Sequence, residues 1–476
     1  MKRRKSKSLL NNVLGKCIAL TLLLNYACMP KSQIQDTGLS SNGNPIIPGY
    51  FADPSIFMDD DSTFYIYATT DGYDVGKFTN GPFGVWKSKD FKSWKFYNFD
   101  YPQNFPYVSE KHWAPSVTKG ADGRYYMYFV KDGYDCFVVS SESPTGPWIE
   151  ENGGKVVYEN MFDAEVFKDT DGSYYLIYQA PKIEGKYSLW LGRLKENMVE
   201  FEGEPQKLYE NFDLFEGPGM FKRNGKYYLL YSAGGLGGSY HVNAAYGGEN
   251  IWGPYQPHNE KEKKYDPIIK PIPEKNMIST GHNSVLKIDS EYYMVYHRKA
   301  YPYRKGSDLW RQVAIEKLQF DENGRLISIK PTEEGINPLG GSLKPTNNKA
   351  YATMVKASST KDSLFNAGFV TDMNNGTMWK AKENTYPQTI EIDLGKPIEL
   401  NEVLIYFEYA TEAYRYTIES SKNGVQWELI ADKTENKELA CPTLDAVKTK
   451  ARYIKIRVTG SGKQNQAVGI WEVICK

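Results

Sequence analysis

Three acidic residues stand at matching positions of a motif that this 476-residue chain repeats five times. Asp53, Asp163 and Glu216 each begin a segment in which a short apolar stretch, a turn and an aromatic strand follow the acidic head. A protonated carboxyl can donate a proton to a leaving group, and an ionised carboxyl can take one from water. If the heads meet in space, the sequence places both halves of acid–base chemistry in one site.

Cleavage of a glycosidic bond needs this pair of carboxyls: an acid that protonates the leaving oxygen and a carboxylate that activates water or attacks the sugar. A third carboxylate nearby raises the pKa of the acid by like-charge repulsion. Each acid taken alone could be a turn or cap residue, because Asp before Pro is common in turns. The coincidence of all three with repeat heads favours a shared site.

The five repeats predict the architecture that brings these heads together. Successive heads lie 61, 49, 53 and 66 residues apart, and each aromatic strand begins 10 or 11 residues after its head. The turns between are Asp-Gly, Asn-Gly or similarly polar, which is typical of hairpins. Such units bury both faces when stacked radially, so we predict an all-β chain that starts with a five-bladed β-propeller, its heads on the axis. The repeats are Asp53–Tyr67, Ala114–Tyr128, Asp163–Tyr178, Glu216–Tyr231 and His282–Tyr296.

The heads also lie in short tags whose order resembles glycoside hydrolase family 43 over the region from Ile47 to Glu334. The resemblance implies a five-bladed propeller and a reaction that inverts the anomeric centre. It implies that Asp53 is the general base, Glu216 the general acid, and Asp163 the residue that tunes and orients the acid. One departure is Ala164, where the family often has Pro. The tags are Ala52-Asp53-Pro54-Ser55, His112-Trp113-Ala114-Pro115, Asp163 before Glu165-Val166-Phe167, Glu216-Gly217-Pro218 and Gly281-His282-Asn283.

Further residues are candidates for contact with the sugar. Trp113 is expected to wall the pocket, with a core aromatic as the alternative. Arg298 is expected to bond a sugar hydroxyl or the acid, with a surface ion pair as the alternative. The whole set of substrate-binding candidates is Trp113, His112, Arg298, Tyr73 and Phe215.

No cofactor is expected to be required, but one ion is a candidate. The resemblance implies that a histidine at the position of His282 approaches a calcium or sodium ion on the propeller axis, often through water. A buried histidine that supports the site is the alternative. The sequence contains no dedicated oxygen-ligand loop for calcium in the propeller region.

Composition changes divide the chain into units. The propeller is predicted over residues 45–341, and residues 342–349 read as a linker because of their Pro, Asn and Ser content. Residues 350–476 alternate apolar and polar positions in short strands, which predicts a β-sandwich. This unit resembles the discoidin-like (factor 5/8 type C) fold, for example at Arg452-Tyr453-Ile454-Lys455-Ile456. We expect a carbohydrate-binding module, with Tyr409 and Tyr414 as candidates to stack on sugar.

The N-terminus is typical of an export signal. The basic run Lys2-Arg3-Arg4-Lys5 precedes an apolar stretch from Cys17 to Leu24, and Ala27-Cys28 follows. Residues 1–27 resemble a bacterial lipoprotein signal in which Cys28 is lipidated, with an ordinary secretory signal as the alternative; residues 28–44 would then be a linker. The apolar run is far shorter than the roughly 20 residues of a membrane span. We expect an exported protein, held by a lipid anchor in the periplasm or at the outer cell surface of a bacterium.

Charge argues against nucleic acid as a partner. The chain has 58 basic and 58 acidic residues, and the first 27 residues hold six of the basic and none of the acidic ones. The remainder is therefore mildly acidic, which does not suit a polyanion. Aromatic residues make up 14% of the chain, which suits β-structure and surfaces that stack on sugars.

Together these features predict an inverting, exo-acting glycosidase on oligo- or polysaccharides of plant type, an α-L-arabinofuranosidase by preference. The alternatives on the same fold are a β-xylosidase and a β-galactosidase or galactofuranosidase. An alternative of another class is a lipid-anchored glycan-binding protein with an inactive propeller. The three intact acids disfavour it.

Overall fold

The computed structural model is almost entirely β, and a five-bladed propeller is followed by a β-sandwich, which confirms the predicted fold class. No helix in the described part of the chain is long and apolar enough to cross a membrane. The predicted signal and Cys28 lie outside the described residues. The structure describes residues 43–73, 81–99, 112–131, 133–154, 157–235, 239–258, 266–299, 310–343, 347–462 and 466–476.

The first four blades each contain four antiparallel strands in sequence order, from the axis outward. Blade 1 consists of β1 (Phe51–Met58), β2 (Phe64–Thr70), β3 (Gly84–Ser88) and β4 (Lys95–Asn98). Blade 2 consists of β5 (His112–Lys119), β6 (Tyr125–Lys131), β7 (Asp135–Ser141) and β8 (Ile149–Glu150), followed by a short 3-10 helix, Glu151–Gly154. Blade 3 consists of β9 (Phe162–Lys168), β10 (Tyr174–Ile183), β11 (Lys186–Arg193) and β12 (Gln206–Glu210). Blade 4 consists of β13 (Leu214–Arg223), β14 (Lys226–Ala233), β15 (His241–Tyr246) and β16 (Gln256–Pro257).

Blade 5 has three strands, and the N-terminal end of the described chain lies along its outer edge. The Ile46 amide donates to Val313 O at 3.0 Å. The Asn44 side chain donates to Ile315 O at 3.1 Å and accepts from Ile315 N at 2.9 Å. Residues that precede blade 1 are thus bonded to blade 5, which joins the ends of the ring. The elements here are the 3-10 helix Pro273–Lys275, β17 (Gly281–Ile288), β18 (Glu291–Lys299), β19 (Arg311–Lys317), and the hairpin of β20 (Gln319–Phe320) and β21 (Leu326–Ile327).

The aromatic strands explain why the blades stack. The second strand of blade 1 is buried along its whole length, because each of its faces packs against a neighbouring layer. Separate apolar clusters fill the spaces between successive blades, and they are rich in Tyr and Phe from these strands. The repeated aromatic motif is therefore the interior of the propeller.

The sandwich follows the propeller in the chain and is built on two long strands, β24 (Gln388–Phe407) and β28 (Thr443–Ser461). In β24 alternate residues are buried from Gln388 to Leu394, as expected for a sheet with one face on a core. Its elements are β22 (Met354–Ala357), the 3-10 helices Ser363–Phe365 and Ala367–Thr371, β23 (Trp379–Lys380), β24 (Gln388–Phe407), β25 (Tyr414–Ser421), β26 (Glu428–Lys433), β27 (Ala440–Cys441), β28 (Thr443–Ser461) and β29 (Gly469–Cys475).

One strand of the sandwich belongs to a propeller sheet. The β27 strand pairs with β4, with Ala440 opposite Tyr97 and Cys441 opposite Phe96, so that blade 1 has a fifth strand from the other unit. Cys441 therefore lies at the boundary between the units, whereas Cys475 lies in the sandwich core. Both are buried free thiols, as is Cys136.

Replacement of Asn44 by Ala should destabilise the propeller by about 2–4 kcal/mol, because it removes the bonds to both polar groups of Ile315 and leaves those groups buried without their partner. The measurement is the urea concentration at the midpoint of unfolding, with the dependence of the unfolding free energy on urea concentration unchanged. Asn197→Ala, in an exposed turn of blade 3, is the control and should shift the midpoint far less. Equal shifts would contradict the ring-joining role.

Candidate active site

Each inner strand carries a β-bulge near its start. The paired register shifts at this point in all five blades. The bulged residue adopts the left-handed conformation, which costs a non-glycine residue about 1–2 kcal/mol. A bulge bends the strand and turns a side chain out of the regular alternation, here toward the axis. The bulged residues and their φ angles are Asp53 (50°), Ala114 (48°), Asp163 (49°), Gly217 (57°) and His282 (43°).

The fourth bulge corrects the repeat alignment. Glu216 stands one residue before Gly217, so the prediction that Glu216 is a head equivalent to Asp53 and Asp163 is wrong by one position. A Cβ on Gly217 would lie 3.0 Å from the His282 ring and from Ser232 Oγ. Glycine fits this crowded, left-handed position, and the carboxyl of blade 4 comes from the residue before it.

The backbone amides at the bulges lose their partners within the sheet, and side chains of neighbouring blades accept hydrogen bonds from them. Asp53 N donates to His297 Nδ1 at 3.1 Å, and Ala114 N donates to Thr69 Oγ1 at 2.9 Å. His282 N donates to Ser232 Oγ at 2.8 Å. A freed amide left buried without a partner would be costly. These bonds between adjacent blades therefore fix the heads against one another.

Asp53 is buried and ionised. Its Oδ1 accepts from Arg311 Nη1 at 2.8 Å, and His297 Nδ1 lies 3.1 Å from the same oxygen. Burial alone would raise the pKa of Asp53, but the Arg311 guanidinium beside it holds that pKa well below its usual value. The arrangement keeps a carboxylate ready to accept a proton.

Arg311 is itself held by a second carboxylate, Asp71. Its backbone N, Nε and Nη2 donate to Asp71 at 3.1, 2.9 and 3.1 Å. The Asp71 amide in turn donates to Tyr50 O at 2.9 Å. Burial raises the pKa of Asp71 to about 6, although the Arg311 charge acts in the opposite direction. The guanidinium is thus fixed by two bonds to Asp71 on one side, beside the bond from the Arg311 amide, and presents Nη1 to Asp53 on the other.

Asp163 and Glu216 form a coupled pair. Asp163 Oδ2 accepts from Gly217 N at 3.2 Å, and Glu216 Oε1 accepts from the Tyr240 hydroxyl at 3.0 Å. Burial, followed by the charges of Glu216 and Asp53, raises the pKa of Asp163 well above its usual value. Desolvation and the charge of Asp53 raise the pKa of Glu216 to about 7. Both carboxyls of the pair are therefore shifted toward the protonated form near neutral pH.

His282 lies between two of the acids. Its Nδ1 is 3.4 Å from Asp53 Oδ1 and 3.5 Å from Asp163 Oδ2, and burial lowers the pKa of the ring, which favours the neutral form. Within the described residues no group of three or more His, Cys, Asp or Glu side chains converges as metal ligands. Calcium prefers six to eight oxygens. The side chains here do not fit an ion ligated directly by protein, and an axial ion held through water stays a prediction.

Aromatic side chains lie around Glu216 and Asp163. Phe215 contacts Tyr187 and Tyr240 with ring centroids 5.8 and 6.1 Å apart. Trp113 is half-buried and lies edge-on to Phe162 at 6.5 Å. Desolvation raises the pKa of the exposed Tyr134, and the nearby charges of Glu216 and Asp163 raise it further. Trp113 and Phe215, two of the predicted sugar contacts, therefore lie near the acids.

The structure places three other candidates elsewhere. His112 is packed between the rings of Phe83 and Phe129, and burial lowers its pKa to about 3. Arg298 donates to Thr332 O at 2.8 Å and Asn44 O at 3.3 Å, because strand alternation turns it away from the face of its neighbour His297. The Tyr73 hydroxyl is bonded to Thr411 and Glu412 of the sandwich. These contacts hold the three side chains on other parts of the protein, and their role as sugar contacts stays a prediction.

Sequence reasoning missed the residues that hold the acids. Arg311 and Asp71 are 240 residues apart and stand outside the repeated tags. Tyr240 stacks on His297 with centroids 5.5 Å apart, and neither stands at a repeat head. No signal in the sequence indicated this packing; in the structure Tyr240 lies against Gly281, where a Cβ would overlap its ring at 1.9 Å.

Comparison with known proteins gives two family matches and several relatives. The model of "Glycosyl hydrolases family 43" matches residues 42–326, more than half of the chain, and that of the "F5/8 type C domain" matches residues 354–473. A β-D-galactofuranosidase of Aspergillus niger is 29% identical over 63% of this chain and 88% of its own. A xylosidase/arabinosidase of Bacteroides ovatus is 27% identical over 61% and 98%. A solved structure described as a glycoside hydrolase is 29% identical, with a TM-score of 0.76, over 90% of this chain and 98% of its own.

Proposed function

This chain belongs to glycoside hydrolase family 43 and hydrolyses O-glycosyl bonds with inversion, and we propose that it is an exo-acting α-L-arabinofuranosidase on plant-type glycans. The names of its relatives support this sugar. Arabinofuranose has the same five-membered ring as galactofuranose, for which the Aspergillus relative is named. Arabinose is also one of the two pentoses in the name of the Bacteroides relative. A β-xylosidase and a galactofuranosidase or β-galactosidase are the alternatives.

One feature of the site carries the assignment of roles: the surroundings of Asp53 and Glu216 shift the pKa values of these two carboxyls in opposite directions. Arg311 keeps Asp53 ionised, whereas desolvation raises the pKa of Glu216 to about 7. We assign Asp53 as the general base and Glu216 as the general acid. Inversion requires this division, because one carboxyl must take a proton from water while the other gives one to the leaving oxygen.

The reaction is then a single displacement. Asp53 takes a proton from water as the water oxygen bonds to the anomeric carbon. The bond to the leaving oxygen breaks, and that oxygen takes the proton of Glu216. The products are a sugar of inverted configuration and the shortened glycan, and exchange with solvent restores both carboxyls.

Asp163 decides which of the coupled carboxyls holds the proton. Both pKa values are raised, so the pair holds one proton near neutral pH. Asp163 accepts a hydrogen bond from the Gly217 amide, which Glu216 lacks, and this bond favours the ionised form of Asp163 against the burial that raises its pKa. We therefore propose that the proton resides on Glu216 and that the charge of Asp163 keeps it there.

The aromatic side chains around Glu216 suit the leaving-group side of the substrate. The acid must reach the leaving oxygen, so the remainder of the glycan extends past Glu216. Phe215 and Tyr187 lie on that side, and so does Tyr134. Aromatic rings pack well on the apolar faces of sugars. We propose that these rings bind the glycan from which the terminal sugar is released.

The ion and the lipid anchor stay predictions. No step above uses an ion, and Cys28 lies outside the described residues. An exported, anchored enzyme that acts on extracellular polysaccharide is consistent with the proposed substrate.

A panel of 4-nitrophenyl glycosides tests the sugar assignment. The α-L-arabinofuranoside should give a kcat/KM at least about 10-fold above the β-D-xyloside, the β-D-galactofuranoside and the β-D-galactopyranoside, which corresponds to about 1.4 kcal/mol of preferential transition-state binding. NMR of the first product should detect the inverted anomer. Preference for the xyloside or a galactoside would replace the sugar assignment by that alternative.

Two variants test the division between base and acid. Asp53→Asn should lower kcat by at least about 1,000-fold on every substrate, because no base remains to activate water. Glu216→Gln should lower kcat by a similar factor on natural glycans. On 2,4-dinitrophenyl glycosides the loss should be much smaller, since a good leaving group needs little protonation. Asp61→Asn, an exposed carboxylate of the same blade as Asp53, should retain activity. Equal losses of the Glu216→Gln variant on all leaving groups would contradict its role as acid.

Replacement of Asp163 by Asn tests the tuning of the acid. Glu216 acts only when protonated, so the basic limb of the pH profile of kcat/KM should follow its pKa of about 7. Loss of the Asp163 charge should lower that pKa and move the basic limb downward by about 1–2 pH units. The matched substitution Asp171→Asn, in an exposed turn of the same blade, should leave the limb in place. An upward shift would contradict the proposal.

A further inference from the structure

The sandwich packs against the loop that carries Asp71. The residues after Asp71 are Gly72 and Tyr73, and both are bonded to the other unit. The Tyr409 hydroxyl donates to Gly72 O at 3.5 Å, and the Tyr409 ring lies edge-on to Tyr73 at 5.6 Å. The Tyr73 hydroxyl is bonded to Thr411, and it donates to Glu412 at 3.3 Å. The loop that fixes Arg311 therefore lies between the active site and the sandwich.

Tyr50 connects the same surface of the sandwich to Asp71 and to the residue before Arg311; we call the bonded pair of Asp71 and Arg311 the clamp. Its carbonyl accepts from the Asp71 amide at 2.9 Å, and its ring lies edge-on to Trp310, the residue before Arg311, at 4.6 Å. Its hydroxyl donates to Glu408 at 3.4 Å, and its ring contacts Trp471 at 5.4 Å. Tyr50 thus contacts Asp71, Trp310 (the neighbour of Arg311 in the chain) and three residues of the sandwich, Glu408, Tyr409 and Trp471.

The sandwich side of this surface is held by a buried ion pair. Lys380 Nζ lies 2.7 and 2.6 Å from the two oxygens of Glu408, and the Glu408 side chain is 1% exposed. The Trp471 indole donates to Glu408 O at 3.1 Å. A buried charge must be well bonded to be tolerated, which favours one fixed geometry. Tyr409 follows Glu408 directly, so the ring that contacts the Asp71 loop starts from a rigid position.

The boundary between the units is a continuous core, not a flexible tether. One apolar cluster contains propeller residues such as Tyr50 and Trp310 together with Tyr409 and Trp471 of the sandwich. The pairing of β27 with β4 extends a propeller sheet into the second unit. Tyr409, at 5% exposure, and Tyr414, at 3%, are buried in these contacts and in the stack of Tyr414 on Phe407. Their prediction as sugar platforms is wrong, because their faces are covered.

We propose that the C-terminal sandwich is a positioning element of the active site: through Tyr409 and the Tyr50 contacts it fixes Asp71, and through Asp71 the Arg311 guanidinium that holds Asp53. The inference rests on the proposed role of Asp53 as the base. It assigns the sandwich a task at the reacting centre, in contrast to a module that only brings the enzyme to a polymer. Tyr409 acts through other residues and does not touch substrate.

The first test compares two buried tyrosines of the full-length protein. Tyr409→Leu removes the ring on the Asp71 loop, and Tyr416→Leu removes an equally buried ring, bonded to Asp445, inside the sandwich. Tyr409→Leu should lower kcat on a small aryl glycoside about 10-fold with KM within twofold of wild type, because a misplaced base slows chemistry without weakening binding. Tyr416→Leu should leave both constants unchanged after correction for folded protein by circular dichroism.

Conservative variants keep the test informative if a leucine variant folds poorly. Tyr409→Phe retains the ring and should recover most of the lost kcat. Tyr73→Phe removes the bonds to Thr411 and Glu412 and should lower kcat about two- to threefold. A wild-type kcat in both Tyr409→Leu and Tyr73→Phe would overturn the proposal.

A double-mutant cycle separates positioning from general loss of stability. Asp71→Asn should itself lower kcat, and Tyr409→Leu added to it should lower kcat less than twofold further, because both changes act on the same clamp. Multiplication of the two losses would overturn the proposal. If Asp53→Asn retains turnover, the proposed function fails. If Asp53→Asn is inactive while the cycle is multiplicative, only the positioning role fails.

Discussion

The chemistry of this protein depends on how one buried guanidinium meets a group of carboxyls that cannot all be charged. Arg311 faces Asp53 and Asp71 directly, and Asp163 and Glu216 lie around the same point. Taking several negative charges out of water beside a single cation is unfavourable, so some of the carboxyls must keep protons. The Arg311 guanidinium holds the pKa of Asp53 well below its usual value, so this carboxyl is ionised and a proton is left to the pair opposite. The proposed division between base and acid follows from this charge balance.

The propeller supplies the geometry for this balance. Ordinary strand alternation would turn neighbouring side chains toward opposite faces, and the bulge in each inner strand instead turns one head toward the axis. Left-handed residues such as Asp53 and Asp163 are strained, and the bonds of freed amides to neighbouring blades hold them. The strain is distributed over four of the five blades, because the bulged residue of blade 4 is Gly217, and the blades are stabilised by the aromatic clusters between them. A site of this kind needs the complete ring, which explains why residues near Asn44 bond to the edge of blade 5.

The second unit extends the same logic outward from the axis. Asp71 positions Arg311, Tyr50 and the Asp71 loop pack on the sandwich, and the sandwich surface is itself fixed by the Lys380–Glu408 pair. Each layer orients the one inside it, as is common where a reacting group must be held within a fraction of an ångström. The aromatic rings of Tyr50 and Tyr409 give the contact its area, and β27 gives it a fixed register.

The sequence by itself determined the propeller, the sandwich and the position of the acids to within one residue. Each blade needs the same buried aromatic strand, so its sequence pattern occurs five times in the chain and is recognisable as a repeat. The sequence placed Glu216 at a head because nothing local reveals that Gly217 occupies the bulge. Only the tertiary structure decided which residues hold the acids, since Arg311 and Asp71 meet across 240 residues. It also decided that Arg298 and Tyr73 serve other contacts. Local periodicity records which face of a strand is buried, whereas the partner on that face is set by blades and domains that are distant in the chain.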